Sequence, residues 1–313
     1  MLDGRRVAVV VPAYDEEHLV VETLRGIPAF VDRVYVVDDA SRDGTAQRAG
    51  EVGDPRVEVI RHDRNGGVGA AIVSGYRRAL EEDVDITCVM AADNQMDPLE
   101  LEGLVGPVAR GEVEYAKANR LFSGEAWKVI PRTRYLGNAV LSLLTKIASG
   151  YWHIADSQAG YTAISRDALL RLDLDRLYAS YGFPNDMLVH LNVQNARVRD
   201  VPSRPIYDVG ETSGIKLRSV VPRISWLLFK GFWWRMAQKY VIRDFHPLVF
   251  FYAFGVLMTV VGLLLGTIEL VLRILGNEIT PATIVLVAVL LIAGLQLTLF
   301  AMWFDMEANK DLR

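Results

Sequence analysis

The pattern of hydrophobic positions divides the chain into two parts. Up to about residue 213, short apolar runs alternate with amphipathic stretches, and the clearest runs lie at residues 7–11, 33–37, 57–61 and 85–90. Apolar runs of this length, rich in β-branched residues, are typical of parallel strands buried on both faces. The pattern therefore predicts an α/β domain at residues 1–213, with helices between the strands.

Polar clusters follow these runs. Asp38 and Asp39 end the second predicted strand, residues 62–69 follow the third, and residues 91–98 follow the fourth. Ligands of open α/β sheets bind at the carboxyl ends of the strands. The clusters therefore predict one site built from separate loops.

Two long apolar segments follow the α/β part. Residues 248–272 and 284–304 are each near or above the roughly 20 apolar residues that a helix needs to cross a bilayer. Gly276, Asn277 and Pro281 lie between them, where one helix stops and another starts. This predicts a transmembrane helical hairpin at residues 247–305 and a tail at 306–313. A buried hairpin of a soluble core is the alternative, but few globular helices are apolar on every face.

The flanks of the hairpin are basic. Their basic residues are Arg235, Lys239, Arg243, Lys310 and Arg313. The connecting loop carries only Arg273 against Glu278. By the positive-inside bias, we expect both ends, and hence the α/β domain, on the cytoplasmic face.

The segment at residues 214–246 mixes basic residues with tryptophan and phenylalanine. Such a segment beside a hairpin predicts amphipathic helices in the headgroup region. A core helix is the alternative. We expect a lipid-borne substrate to meet the α/β site here.

Composition narrows the classes of protein. With 51% hydrophobic residues, the 313-residue chain can hold one globular domain and the hairpin. The net charge of −4 argues against bulk electrostatic binding to nucleic acid. Cys88 is the only cysteine, which excludes a disulfide framework within one chain. The N-terminus runs directly into a strand, so we expect no signal peptide.

Two of the acidic residues are candidates for function. Asp39 and Asp93 each end a buried strand without a basic partner nearby in sequence, so a divalent cation or a ligand's donors would relieve their repulsion. If residues 93–95 are extended, Asp93 and Gln95 present two oxygen ligands on one side. Such ligands suit Mg²⁺ or Mn²⁺, with diphosphate oxygens completing the sphere. For Asp43 and Asp63 we prefer a capping or turn role.

Basic residues after the sheet indicate an anion. Arg120 closes a predicted strand at residues 115–120, and Arg132 and Arg134 open a predicted helix around 135–147. Their guanidinium groups are suited to a phosphate, although a solvated helix start is an equal alternative for each. Asp186, near the start of a predicted helix at 183–192, fits helix-dipole and catalytic roles equally.

The motifs together resemble glycosyltransferase family 2, and most closely its polyprenyl-phosphate (dolichyl-phosphate) glycosyltransferases with a two-helix membrane anchor. The matching motifs, in the family's order, are Pro12-Ala-Tyr14-Asp-Glu16, Asp38-Asp39, Asn65-Gly-Gly-Val-Gly69, Ala92-Asp93-Asn-Gln95, Asn119-Arg120 and Asp156-Ser-Gln158. The resemblance covers nearly the whole chain and implies a GT-A fold.

The resemblance also implies roles for these residues. The nucleotide sugar would be held by Pro12, Tyr14, Glu16, Asp38, Asp39, Asn65, Gly69, Ala92 and Asp93. Asp93 and Gln95 would hold Mg²⁺ or Mn²⁺ on its diphosphate. Asp93, Asp156, Gln158 and Asp186 would form the catalytic set, and Arg120, Arg132, Arg134 and Lys216 would bind the acceptor phosphate.

Two departures from the family pattern matter. Ala91 stands where the family usually has an aspartate, so metal binding would rest on Asp93, Gln95 and the diphosphate. The Gln-x-x-Arg-Trp motif of processive members is missing, which favours transfer of a single sugar.

The predicted reaction is inverting attack of a polyprenyl-phosphate oxygen on the anomeric carbon of a nucleotide sugar, with a uridine donor favoured over a guanosine donor. An ionised phosphate needs no strong general base. One alternative is a glycolipid hydroxyl acceptor, for which Asp186 would act as base. The other is a degenerate adaptor that binds nucleotide sugars, suggested by Ala91. Gly255, Gly262 and Gly266 also allow close helix contact in a homo-oligomer.

Overall fold

The computed structural model describes residues 1–122, 132–206, 217–278 and 280–313. The chain forms two compact units, Met1–Phe232 together with Asp311–Arg313, and Trp233–Lys310. The division falls inside the segment 214–246 that we predicted as an interface region. The last three residues of the predicted tail belong to the first unit.

The first unit contains a seven-stranded mixed sheet. Its strands are β1 (Val7–Ala13), β2 (Arg33–Asp38), β3 (Val57–Arg61), β4 (Ile86–Val89), β5 (Tyr115–Asn119), β6 (Thr162–Ser165) and β7 (Val198–Pro202). The order is β3-β2-β1-β4-β6-β5-β7, and only β6 runs antiparallel to its neighbours. The five predicted strands are confirmed, whereas β6 and β7 were not predicted.

Helices connect these strands. They are α1 (Val20–Gly26), α2 (Thr45–Gly50), α3 (Val68–Glu81), α4 (Leu101–Ala109), α5 (Arg132–Ser149), α6 (Arg166–Arg171) and α7 (Phe183–Val193), with short 3₁₀ turns at Pro98–Glu100 and Leu174–Arg176. The predicted helices at 135–147 and 183–192 are thereby confirmed as α5 and α7.

The first strand shows why the apolar runs are continuous. Every residue of β1 is buried. Val9 and Val11 lie in one hydrophobic cluster, while Ala8 and Val10 lie in the cluster on the other face. Because successive side chains of a strand point to opposite faces, a strand with a core on both sides needs apolar residues at every position.

The last strand of the sheet pairs with the end of the chain. The backbone N–H of Val198, at the start of β7, donates to the carbonyl oxygen of Leu312 at 3.1 Å. The Leu312 side chain packs against the hydrophobic cluster that includes Val198. Residues 311–313 are therefore part of the first unit.

A long helix, α8 (Leu217–Ala237), leads from the first unit into the second. In the first unit its residues Ile224 and Leu228 are buried, whereas Trp226 and Phe229 are exposed and stack with ring centroids 5.4 Å apart. The helix thus has one packed side and one exposed aromatic side.

The second unit continues with a π-helical turn, Gln238–Arg243, and the helices α9 (Leu248–Ile274) and α10 (Pro281–Ala308). The two helices have 27 and 28 residues and are long and apolar enough to cross a membrane. Most of their large side chains are exposed, including Phe254, Leu263 and Ile292. This exposure suits helices that face lipid better than helices of a soluble core.

Glycines bring α9 and α10 into backbone contact. A Cβ added to Gly255 would lie 2.6 Å from Thr298 Oγ1 and 3.0 Å from the carbonyl oxygen of Gly294, and one added to Gly262 would lie 2.9 Å from Leu291. For Gly266 the nearest atom, at 3.2 Å, belongs to Val287 of α10. The glycines that allow close helix contact thus make that contact between α9 and α10, and a homo-oligomer through them stays a prediction.

The second unit also contains a buried ionic network. Arg235 is fully buried and donates two hydrogen bonds of 2.8 Å to the carboxylate of Asp305. The Tyr240 hydroxyl donates to Asp305 at 2.7 Å, and Lys239 Nζ donates to Asn309 Oδ1 at 2.7 Å. Within the segment 214–246, which we predicted for the headgroup region, Arg235 and Lys239 are therefore buried and hydrogen-bonded to Asp305 and Asn309.

Candidate active site

The sheet topology brings the predicted loops to one edge. Strands β1 to β5 all run in the same direction, so their carboxyl ends lie at this edge. Because β6 is antiparallel, the turn that precedes it, at residues 155–161, lies at the same edge. Acidic and basic side chains from separate parts of the chain therefore meet here.

Asp39 finds its hydrogen-bond donors within the chain. The carboxylate is buried and accepts the backbone N–H groups of Gly66 and Gly67 at 2.8 and 2.7 Å. His62 Nδ1 lies 2.7 Å from the same carboxylate. The expectation that a cation or ligand must relieve Asp39 is thus corrected: the side chain anchors the loop that contains Asn65.

Asp38 is also buried and paired. Its carboxylate accepts the N–H of Ser41 at 3.3 Å, and Arg61 Nε lies 3.3 Å from its other oxygen. Beside it is an open depression of about 420 Å³ at the ends of β2 and β3. The lining residues are Ala40, Ser41, Arg61, His62 and Asp63.

The loop after β1 is held by the loop after β2. The N–H of Glu16 donates to Thr45 Oγ1 at 2.8 Å, and the N–H of Asp15 donates to Ser41 Oγ at 3.0 Å. Tyr14 is exposed between them. Asp43 accepts the N–H of Thr45 at 3.0 Å, so the predicted turn role of Asp43 is confirmed.

The glycine-containing loop at residues 65–69 packs the start of α3 against residues 178–179. The N–H groups of Gly69 and Ala70 donate to the carbonyl oxygen of Ala179 at 2.9 and 3.2 Å. A Cβ added to Gly69 would lie 2.3 Å from the carbonyl oxygen of Tyr178. The structure thus shows close packing of the backbone at Gly69.

The Asp93 loop turns sharply. Asp93 Oδ1 accepts the N–H of Gln95 at 3.1 Å, and Asn94 has a left-handed backbone with φ 57°. Residues 93–95 are therefore not extended, and the condition under which Asp93 and Gln95 would present their oxygens on one side is not met. Ala92, which precedes them, is buried and donates its N–H to the carbonyl oxygen of Pro12 at 3.3 Å.

The side-chain oxygens of this loop are suited to a hard cation that also binds a diphosphate. Asp93 and Gln95 are partly exposed and offer carboxylate and amide oxygens. Across the part of the chain that the structure describes, no group of three or more His, Cys, Asp or Glu residues is placed to hold a metal ion. A cation at Asp93 and Gln95 would take its remaining ligands from a diphosphate and water.

Arg120 is paired with Asp156. Its Nε and Nη2 lie 2.8 and 3.2 Å from the two carboxylate oxygens, and its backbone N–H also donates to the carboxylate, at 3.2 Å. Burial alone would raise the pKa of Asp156, but the Arg120 guanidinium outweighs burial and lowers that pKa. Arg120 thus carries its positive charge at the edge in a fixed orientation.

A buried lysine holds the turn that carries Asp156 and Gln158. Lys117 of β5 is fully buried, and its Nζ donates to the carbonyl oxygens of Asp156 and Ala159. Gln158 Nε2 donates to Ser157 Oγ at 3.0 Å. Our sequence reasoning missed Lys117, although a single lysine within an apolar strand was a visible signal.

Asp186 lies in the first turn of α7 and is buried. It accepts the backbone N–H of Tyr178 at 2.9 Å, and His190 Nε2 lies 3.7 Å away. Burial raises the pKa of Asp186, and the nearby His190 opposes that shift. Arg132 and Arg134 lie in the first turn of α5, whereas Lys216 lies outside the described residues.

Comparison with solved structures identifies the type of fold. The chain superimposes on glucosyl-3-phosphoglycerate synthase of Mycobacterium tuberculosis, solved with Mn²⁺, UDP and glucosyl-3-phosphoglycerate. The TM-score is 0.57 at 20% identity, covering 74% of this chain and 80% of the synthase. The same synthase has been solved with Mg²⁺ and UDP. The sheet of the first unit is of the GT-A type.

Sequence comparison identifies the family. Residues 8–172 match the model of glycosyl transferase family 2, and the chain belongs to this family. A UDP-N-acetylglucosamine–dolichyl-phosphate N-acetylglucosaminyltransferase of Methanococcus voltae is 28% identical, over 64% of this chain and 85% of that protein. An undecaprenyl-phosphate mannosyltransferase of Micrococcus luteus is 31% identical, over 71% of this chain and 93% of that protein. The chain is therefore a glycosyltransferase.

Proposed function

We propose that the protein transfers one sugar from a nucleotide sugar to a polyprenyl phosphate at a membrane surface. One observation carries the proposal. A GT-A sheet edge holds both the Asp93 loop and the Arg120–Asp156 pair, in a chain with two helices long enough to cross a bilayer. The names of the relatives from Methanococcus voltae and Micrococcus luteus, which both act on a polyprenyl-type phosphate, support it.

The donor site lies along the ends of β1, β2 and β4. Pro12, Tyr14 and Glu16, with the loop held by Asp39, surround the nucleoside beside Asp38. Asp93 and Gln95 would hold Mg²⁺ or Mn²⁺, and the bound cation would supply positive charge for the leaving diphosphate. The UDP-sugar named for the relative from Methanococcus voltae supports a uridine donor.

The chemistry requires that two anions meet. An oxygen of the acceptor phosphate forms a bond to the anomeric carbon, while the bond from that carbon to the diphosphate oxygen breaks, with inversion. The nucleoside diphosphate leaves with the electron pair. Since the phosphate is already ionised, the chain supplies positive charge rather than a base. Arg120 supplies it, together with Arg132, Arg134 and Lys216.

Membrane attachment brings this site to its lipid acceptor. The helices α9 and α10 form the anchor, and the exposed Trp226 and Phe229 of α8 lie in the headgroup region. The basic residues that flank the hairpin support a cytoplasmic location for the first unit.

The test is a transfer assay with the full chain in detergent. Purified protein is incubated with a polyprenyl phosphate, a panel of UDP- and GDP-sugars, and Mg²⁺ or Mn²⁺, and products are identified by mass spectrometry. We expect a glycosylated lipid phosphate whose formation stops on addition of EDTA. No product with any donor, despite measurable nucleotide binding, would contradict the proposal.

A hydroxyl acceptor is the second candidate. The raised pKa of Asp186, caused by burial, is the property of a general base and favours this reading. Asp186→Asn distinguishes the two, because an asparagine oxygen can still accept the N–H of Tyr178. Near-normal turnover of this variant supports a phosphate acceptor, and a large loss supports a hydroxyl acceptor.

A further inference from the structure

The middle of the sheet contains a buried lysine. Lys117 lies at the centre of β5, is fully buried, and is in register with Thr162 of β6 and Asp200 of β7. A buried ammonium group is costly unless hydrogen bonds and opposite charge compensate it. The partners of Lys117 therefore indicate what this position does.

Both hydrogen-bond partners of Lys117 belong to the turn before β6. Its Nζ donates to the carbonyl oxygens of Asp156 and Ala159, the latter at 3.2 Å. From the neighbouring strand, Asp200 Oδ2 accepts the N–H of Ala155 at 2.6 Å. Two adjacent side chains of opposite charge thus hold three backbone groups of residues 155–159.

The charges of this cluster balance. Lys117 and Arg120 lie near Asp156 and Asp200, and the Arg120 guanidinium binds the Asp156 carboxylate. Burial lowers the pKa of Lys117, and the two aspartates oppose that shift. Loss of the lysine would leave a net negative charge in the interior.

The same turn contacts the Asp93 loop. The Tyr161 hydroxyl donates to the carbonyl oxygen of Asp97 at 3.0 Å. A Cβ added to Gly160 would lie 3.6 Å from Met96, whose sulfur accepts the N–H of Ala91 at 3.2 Å. A displacement of the turn is therefore transmitted to the loop on which Asp93 lies.

We infer that Lys117, together with Asp200, is a positioning residue that fixes the turn carrying Asp156 and Gln158 and, through that turn, the Asp93 loop. The inference rests on the proposed function, because the reaction that needs this alignment is the proposed sugar transfer. Lys117 does not touch a substrate itself, since it is buried beneath the turn.

The test compares Lys117→Met with Lys146→Met in the full chain. Lys146 is the matched control, because it is partly buried and its Nζ also donates to a backbone carbonyl, that of Trp152, at 3.0 Å. For Lys117→Met we expect nucleotide affinity within about 3-fold of the parent and kcat lower by roughly 100-fold, the effect of small misplacements at a reacting centre. Lys146→Met should change neither.

Hydrogen exchange gives a readout that does not depend on the acceptor. In Lys117→Met the backbone amides at residues 155–161 should exchange faster, while β1 to β4 keep their protection. The double variant Lys117→Met/Asp200→Asn keeps the charge balanced and should show the same local exchange and the same loss of kcat.

Three results would overturn the inference. They are a kcat within about 3-fold of the parent in a folded Lys117 variant, faster exchange across the whole sheet, and failure of both variants to fold, which would make Lys117 a determinant of the fold. If the parent transfers no sugar to any acceptor, the proposed function fails, and local exchange at residues 155–161 alone decides this inference.

Discussion

The ionic pair between Arg235 and Asp305 makes a sharp prediction about stability. Both side chains are fully buried, and both guanidinium–carboxylate hydrogen bonds are 2.8 Å long. Removal of one partner from such a pair leaves an uncompensated buried charge and costs about 3–5 kcal/mol. In Arg235→Met, Asp305 keeps the Tyr240 hydroxyl as a donor but loses its opposite charge. In Asp305→Asn, the guanidinium loses its carboxylate.

Replacement of both partners should cost much less than either single change. Arg235→Met/Asp305→Asn removes both charges, and the new amide still accepts from Tyr240, so we expect a free energy of unfolding within about 1 kcal/mol of the parent. Lys310→Met is the control, because its ion pair with Glu307 is exposed and such pairs contribute about 0–1 kcal/mol.

The assay is denaturant unfolding of the full chain in detergent, followed by tryptophan fluorescence. Trp233, Trp234 and Trp303 report on the second unit. The double-mutant cycle isolates the coupling between the two side chains. If the two single losses simply add in the double variant, the pair is not coupled and the reasoning fails.

Three further predictions follow from single sites. Asp93→Asn should lower transfer by at least about 100-fold with little change in thermal stability, and transfer by this variant at the parent's rate would contradict a metal at this loop. Gly69→Ala should lower the free energy of unfolding of the first unit by about 1–3 kcal/mol, because the added methyl group meets the Tyr178 carbonyl oxygen. Gly103→Ala is the control, because a Cβ there has no atom within 4 Å, and thermal unfolding should show it to be neutral or slightly stabilising. Burial, with the charge of Arg235, lowers the pKa of Lys239 from 10.5 to about 7. The folded chain therefore binds fewer protons than the unfolded chain between these values, so the free energy of unfolding should rise from pH 7 towards 10.5, and Lys239→Met should remove that rise.

The sequence predicts elements whose cause is local. Residues 7–11 and 33–37 are predicted as strands because burial on both faces of the sheet requires continuous apolar runs. The hairpin is predicted because its two helices are long and apolar on every face. By contrast, β6 has four residues and β7 includes Arg199 and Asp200, so neither shows a clear strand pattern. Their pairing is decided by partners far along the chain.

In the candidate site, too, the sequence predicts some features and not others. The motif residues are visible because they follow strands, and the topology alone brings them to one edge. The contacts that hold them are not visible, because Lys117 and the turn that it supports are 39 and 42 positions apart, and Arg235 and Asp305 are 70 apart. Pattern rules for neighbours on one helix or strand do not reach such distances.

The pairing of Leu312 with Val198 has a consequence for biosynthesis. The first unit is discontinuous in sequence, since its final three residues are synthesised after both long helices. A ribosome that has just completed the glycosyltransferase domain has therefore not yet supplied the carbonyl that Val198 binds. The seven strands all lie at residues 7–202, but the hydrogen bond from Val198 to Leu312 and the packing of Leu312 on the first unit can form only after both long helices have been synthesised.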